Sequence, residues 1–114
     1  MNGDACIFCK IIARELPAKV IFENNNVMVI QDIAPKAPVH YLIFPKTHIK
    51  DLQSLNFDME NLIPGLMLFT AQELSKNLSG NKAFRLIFNN GADAGQSVFH
   101  LHAHFLSGKK MLDF

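Results

Sequence analysis

The chain has 114 residues, 49% of them apolar, with eleven Lys and Arg against ten Asp and Glu and a formal net charge of +1. This fits a single globular domain over 1–114 and excludes a disordered segment. The near-neutral balance argues against a protein that tracks nucleic-acid phosphates or binds membranes by charge, and no apolar run approaches the roughly 20 residues that span a bilayer.

The opening, MNGDACIFCK, has no basic stretch ahead of a long apolar run, so no secretory leader is expected and the location expected is cytoplasmic. In that compartment two cysteines are expected as thiols or metal ligands. Residues 4–14, DACIFCKIIAR, place Ile7, Ile11 and Ile12 at helical spacing, which predicts a helix capped by Asp4 and stopped by Pro17. KVIFEN and VMVIQD flank the Asn24–Asn26 cluster and predict a hairpin. IAPKAPVH, with two prolines, predicts a loop, and HYLIFPK, 40–46, a third strand ended by Pro45. From Asp58 to Leu78, the residues Leu62, Leu66, Phe69 and Leu74 predict the apolar face of a long helix. Pro64–Gly65 near its start predicts either a kink or a later beginning. AFRLIFN, 83–89, predicts a strand, NNGADAG a glycine loop, and SVFHLHAHFLS the last strand. The order gives an α+β fold: an antiparallel five-stranded sheet with an N-terminal helix and one long helix.

The last strand carries three of the five histidines, His100, His102 and His104, on alternate residues. On a strand, residues i and i+2 share a face about 6.7 Å apart, so the imidazoles line one side while Leu101, Ala103 and Phe105 line the other. Three such residues span too far to converge easily on one ion with bonds near 2 Å, although neutral imidazole is a good zinc ligand. A row in which the middle histidine acts and its neighbours support it fits better. Gly91 and Gly95 precede the row, and glycine backbone N–H groups can turn toward an anion, as can the donors of Gln96 and Ser97. Loop and row together point to a phosphate held beside an imidazole.

GQSVFHLHAHFL resembles the signature of the histidine triad superfamily, His-x-His-x-His-x-x with an apolar residue at each x. The resemblance covers nearly the whole chain. The block from Asp32 to His40, DIAPKAPVH, is similar to that of the histidine triad nucleotide-binding branch, whose hydrolases cleave nucleoside phosphoramidates. The resemblance implies a hydrolase of purine nucleoside 5′-phosphoramidates in which His102 attacks the α-phosphorus and forms a nucleotidyl-histidine, later hydrolysed by water. It places His104 on the phosphate or leaving group and His40 and His100 in the adjacent imidazole layer, and leaves open whether His104 or Ser97 protonates the leaving amine. Gly95, Gln96 and Ser97 would cradle the phosphate, Asn89 would stand near it, and Asp32 would accept both ribose hydroxyls. Phe8, Ile11, Ile30, Ile33 and Leu42 would wall the base pocket. The partner implied is a purine mononucleotide such as AMP or GMP, or its phosphoramidate, with neither nucleic acid nor membrane. The long helix and strand 83–89 resemble the family's two-fold interface, which implies a homodimer.

CIFC is a thiol pair whose spacing alone serves redox chemistry, zinc or nothing. Members resembling this chain carry a structural zinc, and the matching residues here are Cys6, Cys9, His48 and His100, a closed tetrahedral set. No cofactor is implied for the chemical step. The chain ends ten residues after His104. Longer family tails cross the dimer interface to shape the leaving-group side, so MLDF is expected to contribute less. The triad also fits a dinucleoside polyphosphate hydrolase; nucleotidyl-transferases usually carry Gln where His104 stands. Two other classes remain: a nucleotide-binding or protein-interaction module with incidental catalysis, and a zinc-dependent hydrolase.

Overall fold

Five β-rich runs form five strands: β1 Val20–Glu23, β2 Val27–Gln31, β3 Val39–Pro45, β4 Phe84–Ile87 and β5 Ala103–Ser107. They make one antiparallel sheet in the order β1-β2-β3-β5-β4. The computed structural model describes residues 5–56 and 62–113. Among the described residues two α-helices complete the fold, α1 Ile7–Ile12 and α2 Leu62–Lys76. The Asn24 side chain builds the β1–β2 turn, accepting from Asn26 N at 2.8 Å and Val27 N at 2.9 Å.

The pleat sorts side chains to two faces. Val27 and Val29 of β2, Ile43 of β3, and Ala103 and Phe105 of β5 join Met67, Ala71 and Leu74 of α2 in the larger core. Met28, Ile30, Leu42 and Phe44 turn the other way and pack with Cys6, Phe8 and Ile11 in a smaller core under α1. Alternation over the two-residue period of a strand is thus the whole plan of the sheet.

Three local expectations change. Asp4 lies outside the described residues, and α1 is capped by Cys6, whose sulfur accepts from Cys9 N at 3.4 Å. α1 ends well before Pro17, because Arg14 takes a left-handed φ of 64° and Glu15 N closes on Lys10 O at 2.8 Å. Residues 58–61 of the expected long helix also lie outside the described residues. From Leu62 onward, Pro64 sits in the first turn, where its missing N–H costs nothing. The face of α2 differs too: Met67, Thr70, Ala71 and Leu74 are buried, whereas Leu62 and Phe69 are 72% and 67% exposed.

The last strand is shorter than its pattern. β5 pairs with β3 from Val39↔Ser107 to Ile43↔Ala103. Two more steps of that register would set Pro45 opposite Leu101, and proline has no N–H to donate. Leu101 N instead donates to Ile49 O at 2.6 Å. His100 and His102 therefore precede the ladder, though alternation persists: Leu101, Ala103 and Phe105 still enter the larger core. Among the described residues no helix is long and apolar enough to cross a membrane.

Candidate active site

All five histidines gather on the α1 side of the sheet or just beyond its end, and they divide into two linked groups. The link is His100. Its Nε2–H donates to Pro45 O at 2.7 Å, which leaves Nδ1 as a lone pair. That Nδ1 lies 3.3 Å from Cys6 Sγ, 3.6 Å from Cys9 Sγ and 3.2 Å from His48 Nδ1. Cys9 Sγ is 3.3 Å from His48 Nδ1. Four donor atoms bound at ~2.0–2.3 Å to one tetrahedral ion would sit about 3.3–3.8 Å apart, close to this spacing. His48 Nε2 is buried without a hydrogen-bond partner. Both cysteines are free, and burial together with the neighbouring Cys6 pushes the Cys9 thiol up to about 11. Two imidazole nitrogens 3.2 Å apart, beside two sulfurs, form a donor set that a soft divalent cation would satisfy.

His102 belongs to the second group. Its Nδ1–H donates to the main-chain carbonyl of His100 at 2.8 Å, so Nε2 keeps its lone pair. Phe8 braces the ring edge-on at 5.1 Å and is itself stacked on Phe44 at 4.4 Å. Burial draws the proton affinity of His102 below the ordinary histidine range, only partly opposed by the His100 carbonyl and Asp32. The imidazole is neutral at pH 7, with one nitrogen held and the other free.

His104 packs 5.2 Å from His102, centroid to centroid, and its Nδ1 lies 2.9 Å from His40 Nε2. His40 Nδ1 accepts from Lys36 N at 3.0 Å. His40 Nε2 is also 3.3 Å from Asp32 Oδ2. Burial, then the neighbouring His102 and His40, press His104 down to about 4; burial also lowers His40. Both rings stay neutral at pH 7.

The sequence of the HIT domain matches over residues 13–111. The chain belongs to the HIT domain family. An uncharacterized HIT-like protein of Synechocystis is 42% identical over 103 residues, 90% of each chain. A histidine triad protein from Clostridium difficile superposes with a TM-score of 0.92 at 36% identity, covering 100% of this chain and 99% of the other. A zinc-bound histidine triad family protein from Mycobacterium smegmatis matches with a TM-score of 0.82 at 30% identity, over 95% of this chain and 78% of the other.

The remaining residues singled out in this HIT sequence fall into place unevenly. Phe8, Ile11, Ile30 and Leu42 are buried together in the α1 core, whereas Ile33 is fully exposed. Asp32 Oδ1 accepts from Ala34 N at 2.7 Å, so one carboxylate oxygen shapes its own turn. Gly91 and Gly95 hold φ of 93° and 98°, which only glycine adopts freely, and Asn89 stands beside Gly95. Gln96 departs from its expected part as a phosphate donor. Its Oε1 accepts from Gly91 N, its Nε2 donates to Lys50 O and Val98 O, and its own N–H goes to Gly91 O. Every donor of Gln96 is engaged inside the protein, so it braces the glycine loop. Ser97 is exposed at the end of that loop. Three contributors escaped the sequence reading: the Lys36 N–H, the Pro45 carbonyl and the Phe44 ring. Main-chain groups carry no residue signature, but Pro45 in HYLIFPK marked a carbonyl whose own residue could not extend the ladder.

Proposed function

We propose that this HIT protein is a nucleotide-binding hydrolase that cleaves purine nucleoside 5′-phosphoramidates through a nucleotidyl-histidine on His102. One observation carries the reading: His102 is buried and neutral, with Nδ1–H fixed on the His100 carbonyl and the Nε2 lone pair left for phosphorus. As Nε2 attacks, the P–N bond to the amine breaks and the ring gains charge, which the Nδ1–H···O=C bond stabilises. The amine departs with a proton supplied by His104 or Ser97. Water then cleaves the bond from phosphorus to His102, releasing the nucleoside monophosphate and restoring the neutral ring. Gly95 and Ser97 offer donors to the phosphate, with Asn89 beside them and Gln96 bracing the loop. Asp32 takes the ribose hydroxyls, and Phe8, Ile11, Ile30, Ile33 and Leu42 flank the base.

Cys6, Cys9, His48 and His100 hold a structural zinc in this reading, supported by their spacing and by the zinc-bound relative. When bound, the ion cross-links α1 to the segment before β5. The ring of His100 then serves the metal and its carbonyl serves His102, so one residue fills both places without conflict. A homodimer and a cytoplasmic location complete the proposal. The dimer is supported by exposed Leu62, Leu68 and Phe69 on α2 and by β4 at the sheet edge.

The test is hydrolysis of adenosine 5′-phosphoramidate by metal-stripped protein, beside His102→Ala. The stripped wild type should turn over, and the variant should lose at least ~10³-fold while still binding AMP. Turnover by the variant removes His102 as the nucleophile. Turnover only after zinc is restored makes the protein a zinc hydrolase.

A further inference from the structure

Asp32, His40 and His104 bring three donor atoms within 4.8 Å of one another. Such a group invites a reading as a second cation site, but the hydrogen bonds decide against it. His40 Nδ1 receives the Lys36 N–H at 3.0 Å, and a neutral imidazole has one donor and one acceptor nitrogen. The proton of His40 is therefore on Nε2, the atom that faces the other two groups. A cation would have to displace it.

That one proton is donated to His104 Nδ1 at 2.9 Å, and Asp32 Oδ2, 3.3 Å from the same nitrogen, stands within reach as a second acceptor. It cannot serve both fully. When it goes to His104, the proton of His104 is fixed on Nε2, making that nitrogen a donor. When it turns to Asp32, His104 Nδ1 loses its partner and the ring is free to adopt the opposite tautomer, with no donor at Nε2.

We propose that His40 is a positioning residue that couples the carboxylate of Asp32 to His104: occupation of Asp32 by ribose hydroxyls commits the Nε2 proton of His40 to His104 and sets His104 as a donor toward the phosphoryl group. The inference rests on the nucleotide reading of this face. It assigns the Asp32–His40 contact a consequence for rate as well as affinity. Hydroxyls donated to a carboxylate weaken it as an acceptor for a third group, whereas the ring nitrogen of His104 is untouched by the sugar. His40 is 3% exposed, so solvent does not compete for its proton.

Nitrogen-15 NMR of the imidazoles reads the tautomers directly in the wild-type protein. With AMP, both His40 and His104 should report the Nε2–H form. With 2′,3′-dideoxy-AMP, His104 should report a mixture. An Nδ1–H form of His40, or the same His104 signal with both ligands, overturns the coupling. Kinetics supply an independent arm. Adenosine 5′-phosphoramidate should exceed its 2′,3′-dideoxy analogue in kcat by about tenfold, the worth of one hydrogen bond. In His40→Asn that kcat ratio should fall to near 1 while the KM ratio persists. A kcat ratio that survives in His40→Asn overturns the proposal. Failure of the underlying nucleotide reading looks different: AMP would then leave every imidazole signal unmoved.

Discussion

The main-chain carbonyl of His100 accepts from His102 Nδ1 at 2.8 Å, while the ring of the same His100 points into the cluster of Cys6, Cys9 and His48. Two sites therefore meet in one residue, the ring serving one and the backbone the other.

Metal removal should affect stability first. Zinc present at about 100 times its Kd stabilises by about 2.7 kcal/mol, roughly 10 °C in Tm for a domain of this size. A chelator should lower Tm by that order while turnover at 25 °C falls only a few-fold. Calorimetry beside a phosphoramidate assay checks it; an unchanged Tm would remove the metal from the cluster.

Phe8→Ala should damage both groups at once. The ring stacks on Phe44 and touches His100 and His102 edge-on. Loss of a buried phenyl costs about 3–5 kcal/mol. Urea unfolding should show that loss, and kcat should fall more than KM rises, because His102 loses its brace.

Stability should depend on pH with a defined sign. His104 titrates at about 4 in the fold against 6.5 ordinarily. Above pH 6.5 it is neutral folded and unfolded. As pH falls from 6.5 toward 4 the unfolded chain takes the proton first, so stability is lost across that window. The slope from one such histidine is at most about 1.4 kcal/mol per pH unit. Urea midpoints of metal-stripped protein at pH 7.5, 6 and 5 should fall in that order, and His104→Gln should flatten the series.

Gly108→Ala tests a backbone constraint away from the imidazoles. Gly108 has φ 97°, and an added Cβ would stand 2.8 Å from the Pro38 Cβ. Strain of this kind costs about 1–3 kcal/mol, and the close contact adds to it. Thermal unfolding should show the loss.

Phe69→Glu should leave the monomer fold intact, since Phe69 is 67% exposed. In analytical ultracentrifugation it should shift the protein from dimer to monomer. A wild-type protein that sediments as a monomer would dispose of the dimer.

What could be read from the sequence was set by period. The two-residue alternation of β2, β3 and β5 carries its meaning locally, so the imidazole row and its apolar back were legible from HLHAHF alone. α2 was not, because Leu62, Leu68 and Phe69 give it apolar residues on its outer side as well. Periodicity cannot rank two greasy faces, and only packing against Val29 and Phe105 decides between them. Gln96 misled for another reason: an amide reads as a ligand donor until the loop that consumes it is seen. The hinge of His40 was invisible, since its second partner is a backbone amide.

Pro45 gives the arrangement its origin. A residue with an ordinary amide there would let β3 and β5 zip onward past Ala103, and His102 and Leu101 would become two more rungs of sheet. The missing hydrogen ends the weave at that point. Residues 100–102 are released from the lattice just where it stops, and the loose end of a structural fabric becomes available for chemistry.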